Sequence, residues 1–180
     1  KGAKFNAVAH SGVTLYPPAK TVVTGVPVSD QYEKRRGANQ RDYRERLSLP
    51  LDAHVLLVIA GTQGARVIDA ALREAVPRLL ERDKDLYIVH VFGRLNEHTM
   101  RHQYEDLSPE YAKRVRKLLF IDNAPDYVAA ADLIIGRAGA TSIAEFAMIG
   151  RPCVIVPALH LTGGHQLENA KVLVQKNAIA

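Results

Sequence analysis

The sequence predicts an α/β domain with a Rossmann-like, doubly wound parallel sheet. Three observations carry this prediction. Short apolar runs bounded by Gly or Pro recur along the chain, amphipathic segments separate them, and from residue 55 onward the two kinds alternate. Such alternation implies parallel strands joined by right-handed crossovers, with helices on both faces of the sheet.

Each element follows from its local pattern. Residues 1–24 contain Pro17-Pro18 and lack clear periodicity apart from a short strand at 21–24, so we expect a connector there and the domain at 25–180. Continuous apolar runs are typical of strands buried on both faces, and amphipathic runs of helices. In chain order we predict a helix at 41–47, a strand at 55–60, a helix at 66–82 bent by Pro77, a strand at 86–92, a helix at 109–117, a strand at 118–121, a short helix at 126–131, a strand at 133–135, a helix at 142–149, a strand at 153–156 and a helix at 166–176.

Composition limits the function. The 180 residues are 47% apolar, as in one ordinary domain, and no run reaches the roughly 18 apolar residues of a membrane helix. The one cysteine, Cys153, fits a reducing cytoplasm.

The net charge of +5 includes basic runs at 34–36, 41–46 and 113–117, which we interpret as solvated helix surfaces. Nucleic-acid binding would need aromatic residues interleaved with the basic ones, and the chain has no Trp and few Tyr and Phe, so we expect none. Lys1 in place of an initiator Met predicts a piece of a longer protein.

Two glycine-containing turns lead from a strand into a helix. Gly61-Thr62-Gln63-Gly64 follows the strand at 55–60, and Gly136-Arg137-Ala138-Gly139 follows the strand at 133–135. Glycine permits tight turning, and the first N–H groups of a helix attract anions. Because ligands of such sheets bind beyond the carboxyl ends of the strands, we expect both turns to face one diphosphate. Glu145, one turn inside the second helix, fits a ribose-binding carboxylate or a charge that merely neutralises the helix start.

Other ligands are less consistent with the motifs. The loop at 157–164 and the following helix bring polar side chains to the same edge, where they could hold a sugar: His160, His165, Gln166, Glu168 and Asn169. No metal-ligand spacing is present, so surface histidines are favoured over a metal site. The first turn lacks Gly-x-Gly-x-x-Gly, and the strand at 86–92 ends in Gly93-Arg94 without an acidic residue, which disfavours NAD. The absence of Gly-Lys-Ser or Gly-Lys-Thr disfavours ATP hydrolysis.

Five motifs stand in a fixed order: Gly25-Val26-Pro27-Val28, the turn at 61–66, Phe120-Ile121-Asp122, and the segments 137–145 and 165–170. Over residues 21–180 they resemble the carboxyl-terminal half of the MurG family, the peptidoglycan N-acetylglucosaminyltransferases. The resemblance implies one half of a two-domain GT-B fold, which binds UDP-N-acetylglucosamine. It also implies inverting transfer that makes lipid II in bacterial cell-wall synthesis and cell division, with no metal or cofactor.

The resemblance implies a role for each matched residue. Thr62 and the backbone N–H groups of Gly64 and Ala65 would hold the diphosphate, with further N–H groups from Ala140, Thr141 and Ser142. The backbone of Ile121 would read the uracil, and Glu145 would accept hydrogen bonds from both ribose hydroxyls. His165 and Gln166 would contact the sugar hydroxyls, while Asn169 would brace that loop.

The sequence also departs from the family pattern. The first motif usually reads Gly-Asn-Pro-Val-Arg, whereas here Val26 replaces the Asn and Ser29 replaces the Arg. The family's general base belongs to the amino-terminal half, so we expect no catalytic residue here and donor binding without turnover. That half would also receive the lipid-linked acceptor, at the cytoplasmic face of the inner membrane as a peripheral contact. The alternatives are another GT-B enzyme, such as a UDP-N-acetylglucosamine epimerase or a glycolipid glycosyltransferase, and a non-catalytic nucleotide-sugar-binding subunit.

Overall fold

The strands of the described residues form two parallel sheets. The computed structural model describes residues 2–9, 15–61, 65–158 and 165–175. Strands β1 (Asn6–Val8) and β2 (Thr21–Val23) pair with each other as a small ribbon. The main sheet contains β3 (His54–Ile59), β4 (Leu86–Val91), β5 (Val115–Leu118), β6 (Leu133–Arg137) and β7 (Cys153–Val156). Its order is β5-β4-β3-β6-β7, which confirms the predicted doubly wound α/β class.

Helices lie on both faces of the main sheet. They are α1 (Asp30–Glu33), α2 (Gln40–Arg46), α3 (Arg66–Arg82), α4 (Glu97–His102), α5 (Pro109–Ala112), α6 (Ala124–Ala130), α7 (Ala140–Ile149) and α8 (His165–Gln175), with a 3-10 turn at Pro18–Lys20. The predicted bounds of α3 are confirmed, and Pro77 lies inside the helix without ending it. Helices α2, α6, α7 and α8 and the strands β3, β4, β6 and β7 agree with the prediction to within two residues at each end.

The core consists of one apolar cluster on each face. Leu57 of β3 packs with Ile134 of β6 and Phe146 of α7, whereas its neighbour Val58 packs on the opposite face with Ile88 and with α3. This alternation is the two-residue period of a strand buried on both sides. The central strand β3 therefore carries helices on either face and places its carboxyl end between them.

The predicted helix at 109–117 is wrong in its second half. The helix ends at Ala112, and Val115–Leu118 form the edge strand β5, so the predicted strand at 118–121 begins three residues too late. Basic side chains hold this edge: Arg114 Nη2 donates to the Leu80 carbonyl at 2.7 Å, and Arg116 Nη1 to the Leu47 carbonyl at 2.6 Å. The basic run at 113–117 is therefore not a solvated helix surface, because Arg114, Arg116 and Lys117 donate to carbonyl groups of neighbouring segments.

The predicted strand at 21–24 is confirmed as β2, but three other short elements were not predicted. Strand β1 lies in the segment expected to be a connector, and helices α1 and α4 have only four and six residues. Segments this short carry too few residues to show a period. The division into a connector at 1–24 and a domain at 25–180 stays a prediction.

Candidate functional site at the carboxyl edge of the main sheet

The two strands that lead into the glycine-containing turns are neighbours in the sheet. Strands β3 and β6 are parallel neighbours, with Ile59 paired to Gly136, so the chain leaves both strands at the same edge. From β3 the sheet continues through β4 to β5, and from β6 it continues to β7 in the other direction. This is the point of an open α/β sheet at which the crossovers diverge and leave a crevice for a ligand.

The first turn begins at Gly61, whose φ of +79° lies in the left-handed region. A Cβ atom there would meet nothing within 4 Å, so the backbone angle is what favours glycine at this position. Thr62 and Gly64, the predicted diphosphate ligands, lie outside the described residues. Ala65 is buried and begins α3 without a side-chain cap. The first bond within the helix runs from the Asp69 N–H to the Ala65 carbonyl, so the N–H groups before it are not used in the helix ladder.

The second turn holds α7 against the sheet. A Cβ atom on Gly136 would come within 2.9 Å of Phe146 Cε2 and 3.0 Å of the Ile59 carbonyl oxygen, so only glycine permits this approach. Gly139 then begins α7 in an extended conformation, and no side chain caps the helix. Because the first bond within the helix joins the Ile143 N–H to the Gly139 carbonyl, the N–H groups of residues 140–142 are not used in the helix ladder. Ala140, Thr141 and Ser142 therefore present donors at the same edge as the carboxyl end of β3.

Glu145 is half-buried on the face of α7 that packs against α1. Burial raises the pKa of its carboxyl above the ordinary value, while an interaction with the Tyr32 hydroxyl opposes that rise. The side chain is thus neither turned into bulk solvent nor used as a cap for α7. Sequence reasoning did not identify Tyr32, because it lies on the short helix α1, far from Glu145 along the chain. Ser29, which replaces the family's Arg, caps α1 by accepting a hydrogen bond from the Gln31 N–H at 3.3 Å.

Helix α8 is tied to the same edge through two amide side chains. Asn169 Nδ2 donates to the Ala138 carbonyl at 2.9 Å, and Gln166 Oε1 accepts from the Ala158 N–H at 2.9 Å. Asn169 therefore braces the turn before α7, whereas Gln166 braces the segment after β7. The second of these bonds leaves the NH₂ group of Gln166 as a donor. His165 is exposed at the first position of α8, and His160 lies outside the described residues.

Ile121 follows β5 at the carboxyl edge and is partly buried against the core. Within the described part of the chain, its N–H and C=O groups make no hydrogen bond with another backbone group. The guanidinium carbon of Arg94 lies 3.7 Å from the centre of the neighbouring Phe120 ring, and Arg94 Nη2 is 3.8 Å from Asp122 Oδ1. A planar ligand bound here could hydrogen-bond to the backbone N–H and C=O groups of Ile121, beside the Arg94 guanidinium that stacks on the Phe120 ring.

The opposite edge of the sheet contains a cavity of about 850 Å³ between α3, β3 and β6. Its walls include Leu79 and Leu133, and two of its polar groups already form a pair, with His54 Nδ1 2.8 Å from Asp83 Oδ2. It therefore offers apolar surface and no helix start. Among the described residues no group of three or more Asp, Glu, His or Cys side chains could hold a metal ion. No helix in the described ranges is long and apolar enough to span a bilayer.

The fold and this edge define a Rossmann-like α/β domain in which two helices begin at the carboxyl ends of neighbouring strands. Comparison of the sequence with known families shows to which family the chain belongs. Residues 55–179 match the glycosyltransferase family 28 C-terminal domain, and the chain belongs to that family.

Several curated relatives share one name, UDP-N-acetylglucosamine–N-acetylmuramyl-(pentapeptide) pyrophosphoryl-undecaprenol N-acetylglucosamine transferase. The protein of that name from Leuconostoc citreum is 34% identical over 163 residues, which is 91% of this chain and 43% of the relative. The one from Corynebacterium diphtheriae is 33% identical over 177 residues, 98% of this chain and 44% of the relative. The chain thus spans less than half the length of these relatives.

Solved structures show the same architecture. MurG from Acinetobacter baumannii superposes with a TM-score of 0.56 at 27% identity and covers 88% of this chain and 42% of its own. A glycosyltransferase from Rickettsia africae superposes with a TM-score of 0.55 at 13% identity, over 88% of this chain and 48% of its own. At that identity the second likeness supports the fold alone.

Proposed function

We propose that this chain is the donor-binding half of an inverting glycosyltransferase that makes lipid II from a lipid-linked acceptor and UDP-N-acetylglucosamine. The observation that carries the proposal is the pair of uncapped helix starts on neighbouring strands, with Glu145 one turn inside the second helix. The shared name of the curated relatives, which specifies this donor and a pyrophosphoryl-undecaprenol acceptor, supports the same reading.

The diphosphate of the donor would lie between the two helix starts. The N–H groups at Ala65 and at Ala140, Thr141 and Ser142 would donate to its oxygens, together with Thr62 and Gly64 of the first turn. The aligned peptide dipoles of α3 and α7 add partial positive charge at the same place. Two helix ends suit a group with two negatively charged phosphates better than a single carboxylate.

The nucleoside would lie along the same edge. The backbone of Ile121 would pair with the uracil, and the Glu145 carboxylate would accept hydrogen bonds from the two ribose hydroxyls. A carboxylate has enough lone pairs for both hydroxyls at once. The sugar would face α8, where His165 and the NH₂ group of Gln166 are available and Asn169 holds the helix in place.

The chemistry would consist of attack by an acceptor hydroxyl on the anomeric carbon of the donor sugar while its bond to the diphosphate oxygen breaks. The electron pair of that bond leaves with UDP, so negative charge grows on the diphosphate. Preorganised N–H groups stabilise this growing charge more than they stabilise the bound donor, which accelerates the reaction. The general base and the acceptor site would belong to an amino-terminal half, which the relatives are long enough to contain, at the cytoplasmic face of the membrane.

Isothermal titration of the purified chain with UDP, UDP-N-acetylglucosamine, UDP-glucose and NAD tests the proposal. We expect the uridine ligands to bind and NAD not to bind with comparable strength. Glu145→Ala should weaken UDP binding about a hundredfold, since it removes two hydrogen bonds to a charged acceptor. Glu81→Ala, which removes an exposed carboxylate at the far end of α3, is the control and should bind UDP normally. Tight NAD binding that is indifferent to Glu145 would overturn the proposal.

A further inference from the structure

A line of buried polar side chains joins the start of α3 to β4. His90 of β4 is 1% exposed, and Asp69, one turn inside α3, is 3% exposed. His90 Nε2 lies 3.2 Å from Asp69 Oδ1, and His90 Nδ1 lies 2.9 Å from the hydroxyl of Tyr104, which follows α4 and is also buried. Three separate elements of the fold therefore meet through these three side chains.

The chemistry of the groups gives the direction of the two hydrogen bonds. A carboxylate only accepts, so His90 Nε2 carries the proton and donates to Asp69. Burial lowers the pKa of His90, although the Asp69 carboxylate opposes this, so the ring is neutral and its Nδ1 accepts. Burial raises the pKa of Tyr104, so its hydroxyl keeps the proton and donates to Nδ1. The bonds therefore run from Tyr104 through His90 to Asp69.

Asp69 is held at three points. Its N–H donates to the Ala65 carbonyl at 2.9 Å, which is the first bond of α3, and its C=O accepts from Gln103 Nε2 at 2.6 Å. Its carboxylate accepts from His90, and among the described residues no donor reaches the other carboxylate oxygen, Oδ2, which is buried. In the described part of the chain, His90 is therefore the group that holds the carboxylate, and Asp69 in turn holds the first turn of α3.

The groups that support Asp69 are themselves fixed. The His90 ring stacks on Phe92 with 3.9 Å between the ring centres, so it cannot turn without losing this contact. Tyr104 has a φ of +67°, in the left-handed region that tyrosine rarely adopts, and such a backbone persists only where its contacts outweigh the strain. The sheet and the segment after α4 thus form a rigid support for the start of α3.

We propose that His90 and Asp69 are positioning residues that hold the N–H groups at the start of α3 in place for the diphosphate of a nucleotide donor. This inference rests on the donor-binding function proposed above. Both side chains are buried and would act through the backbone of α3 without touching the ligand. Donors that are already in place lose little freedom on binding an anion, so they bind it more tightly. The effect should therefore appear for a diphosphate and not for the nucleoside alone.

The test compares UDP with uridine, which lacks the diphosphate, by NMR titration of the purified chain. His90→Phe keeps a ring on Phe92 and removes both hydrogen bonds, so UDP binding should weaken about tenfold while uridine binding changes little. Asp69→Ala breaks the same link without leaving a buried charge, and it should give the same loss even if His90→Phe does not fold. Asp69→Asn keeps an oxygen that accepts from His90 and should bind UDP nearly as well as the unaltered chain.

Val76→Ala is the control for a purely structural effect. Val76 is fully buried in the same apolar cluster, but it lies in the second half of α3. The variant should lower the urea midpoint because it leaves a cavity, and the folded protein should keep its preference for UDP over uridine. Without ligand, hydrogen exchange of the Asp69 amide should speed up more than that of the Leu80 amide in Asp69→Ala, whereas Val76→Ala should not favour the start of α3.

The outcomes separate the two proposals. If the unaltered chain binds UDP no better than uridine, the proposed function fails. If it prefers UDP but His90→Phe and Asp69→Ala keep the full preference, the positioning role alone is overturned. A loss in Asp69→Asn as large as in Asp69→Ala would also overturn it, because the hydrogen bond from His90 would then not be what holds the helix start.

Discussion

At the amino edge of the main sheet, Asp132 accepts hydrogen bonds from Arg44 Nη2 at 2.6 Å, the Val55 N–H at 2.7 Å and Gln40 Nε2 at 2.8 Å. At the carboxyl edge, α3 and α7 begin with N–H groups that no side chain caps. One edge thus satisfies its polar groups internally, and the other leaves donors for a partner from outside. The difference suggests that stability is concentrated at the amino edge and binding at the carboxyl edge.

The same contrast separates the helices. Three helices do not directly follow a strand of the main sheet: α1, α2 and α5. Each of them has a side-chain cap, from Ser29, Asn39 and Ser108 respectively. A side-chain cap contributes about 1 kcal/mol to stability, so its absence at two long helices is a cost. A bound anion would offset that cost by supplying the missing acceptors.

The largest effect is expected from the amino edge. Asp132→Ala leaves the buried Arg44 guanidinium without its carboxylate and the Val55 N–H without an acceptor. We expect a loss of about 3 kcal/mol in the free energy of unfolding, because removing one partner strands a buried charge. Urea unfolding measures this loss, and UDP binding by the folded protein should stay unchanged.

Asp52→Ala is the matched control for that variant. Asp52 pairs with Arg41 at the same end of the domain, but both side chains are largely exposed. Exposed pairs contribute at most about 1 kcal/mol, so the two variants should differ clearly in their urea midpoints. Equal midpoints, or a large loss of UDP affinity in Asp132→Ala, would contradict the division between the two edges.

A smaller effect is expected from capping α7 artificially. Gly139 has the extended conformation of a normal cap residue, and a Cβ atom there would make an ordinary contact with Ser142 Oγ at 3.6 Å. Gly139→Asp should therefore raise the free energy of unfolding by a few tenths of a kcal/mol, because the new carboxylate accepts from the helix start. The same carboxylate should weaken UDP binding about tenfold, since it occupies the donors and repels the diphosphate.

Gly139→Ala separates the two causes, because it adds a side chain without an acceptor. It should bind UDP nearly as well as the unaltered chain, as measured by titration beside thermal unfolding. If Gly139→Asp were stabilised and bound UDP normally, the N–H groups of α7 would not contact the diphosphate.

The sheet could be predicted from the sequence where its strands are continuous apolar runs. The apolar runs of β3, β6 and β7 are visible in the sequence, and so is the amphipathic pattern of α3, which repeats over 17 residues. The edge strand β5 could not, because Val115-Arg116-Lys117-Leu118 looks like part of a basic helix. The strand conformation of β5 depends on contacts with distant segments, whose carbonyl groups accept hydrogen bonds from Arg114 and Arg116.

The candidate site also contains features that could be predicted from the sequence and features that could not. The two turns could be assigned to one edge because topology alone brings the carboxyl ends of parallel strands together. The packing of α1 on α7, the helix that carries Glu145, could not be predicted, since α1 has only four residues. The hydrogen bond from Asn169 to Ala138 likewise joins α8 to a turn that sequence reasoning did not link to it.

The smallest effect concerns the exposed pair of His54 and Asp83 at the amino edge, whose contribution depends on pH. The hydrogen bond to Asp83, and then its charge, raise the pKa of His54 above 6.5, and the bond to His54 lowers the pKa of Asp83 below 3.8. For His54 the folded state holds the proton more tightly, so its contribution is full below the unfolded pKa and disappears as the pH rises through the raised value. For Asp83 the contribution is present above its unfolded pKa and disappears as the pH falls through the lowered one.

The pair should therefore stabilise the fold most between those two limits. The difference in urea midpoint between the unaltered chain and His54→Gln should shrink steadily from about pH 5 to about pH 8, over which histidine titrates. A His54→Gln difference that grew with pH would mean that the ring is held neutral in the folded state, and the amino edge would then owe none of its stability to this pair.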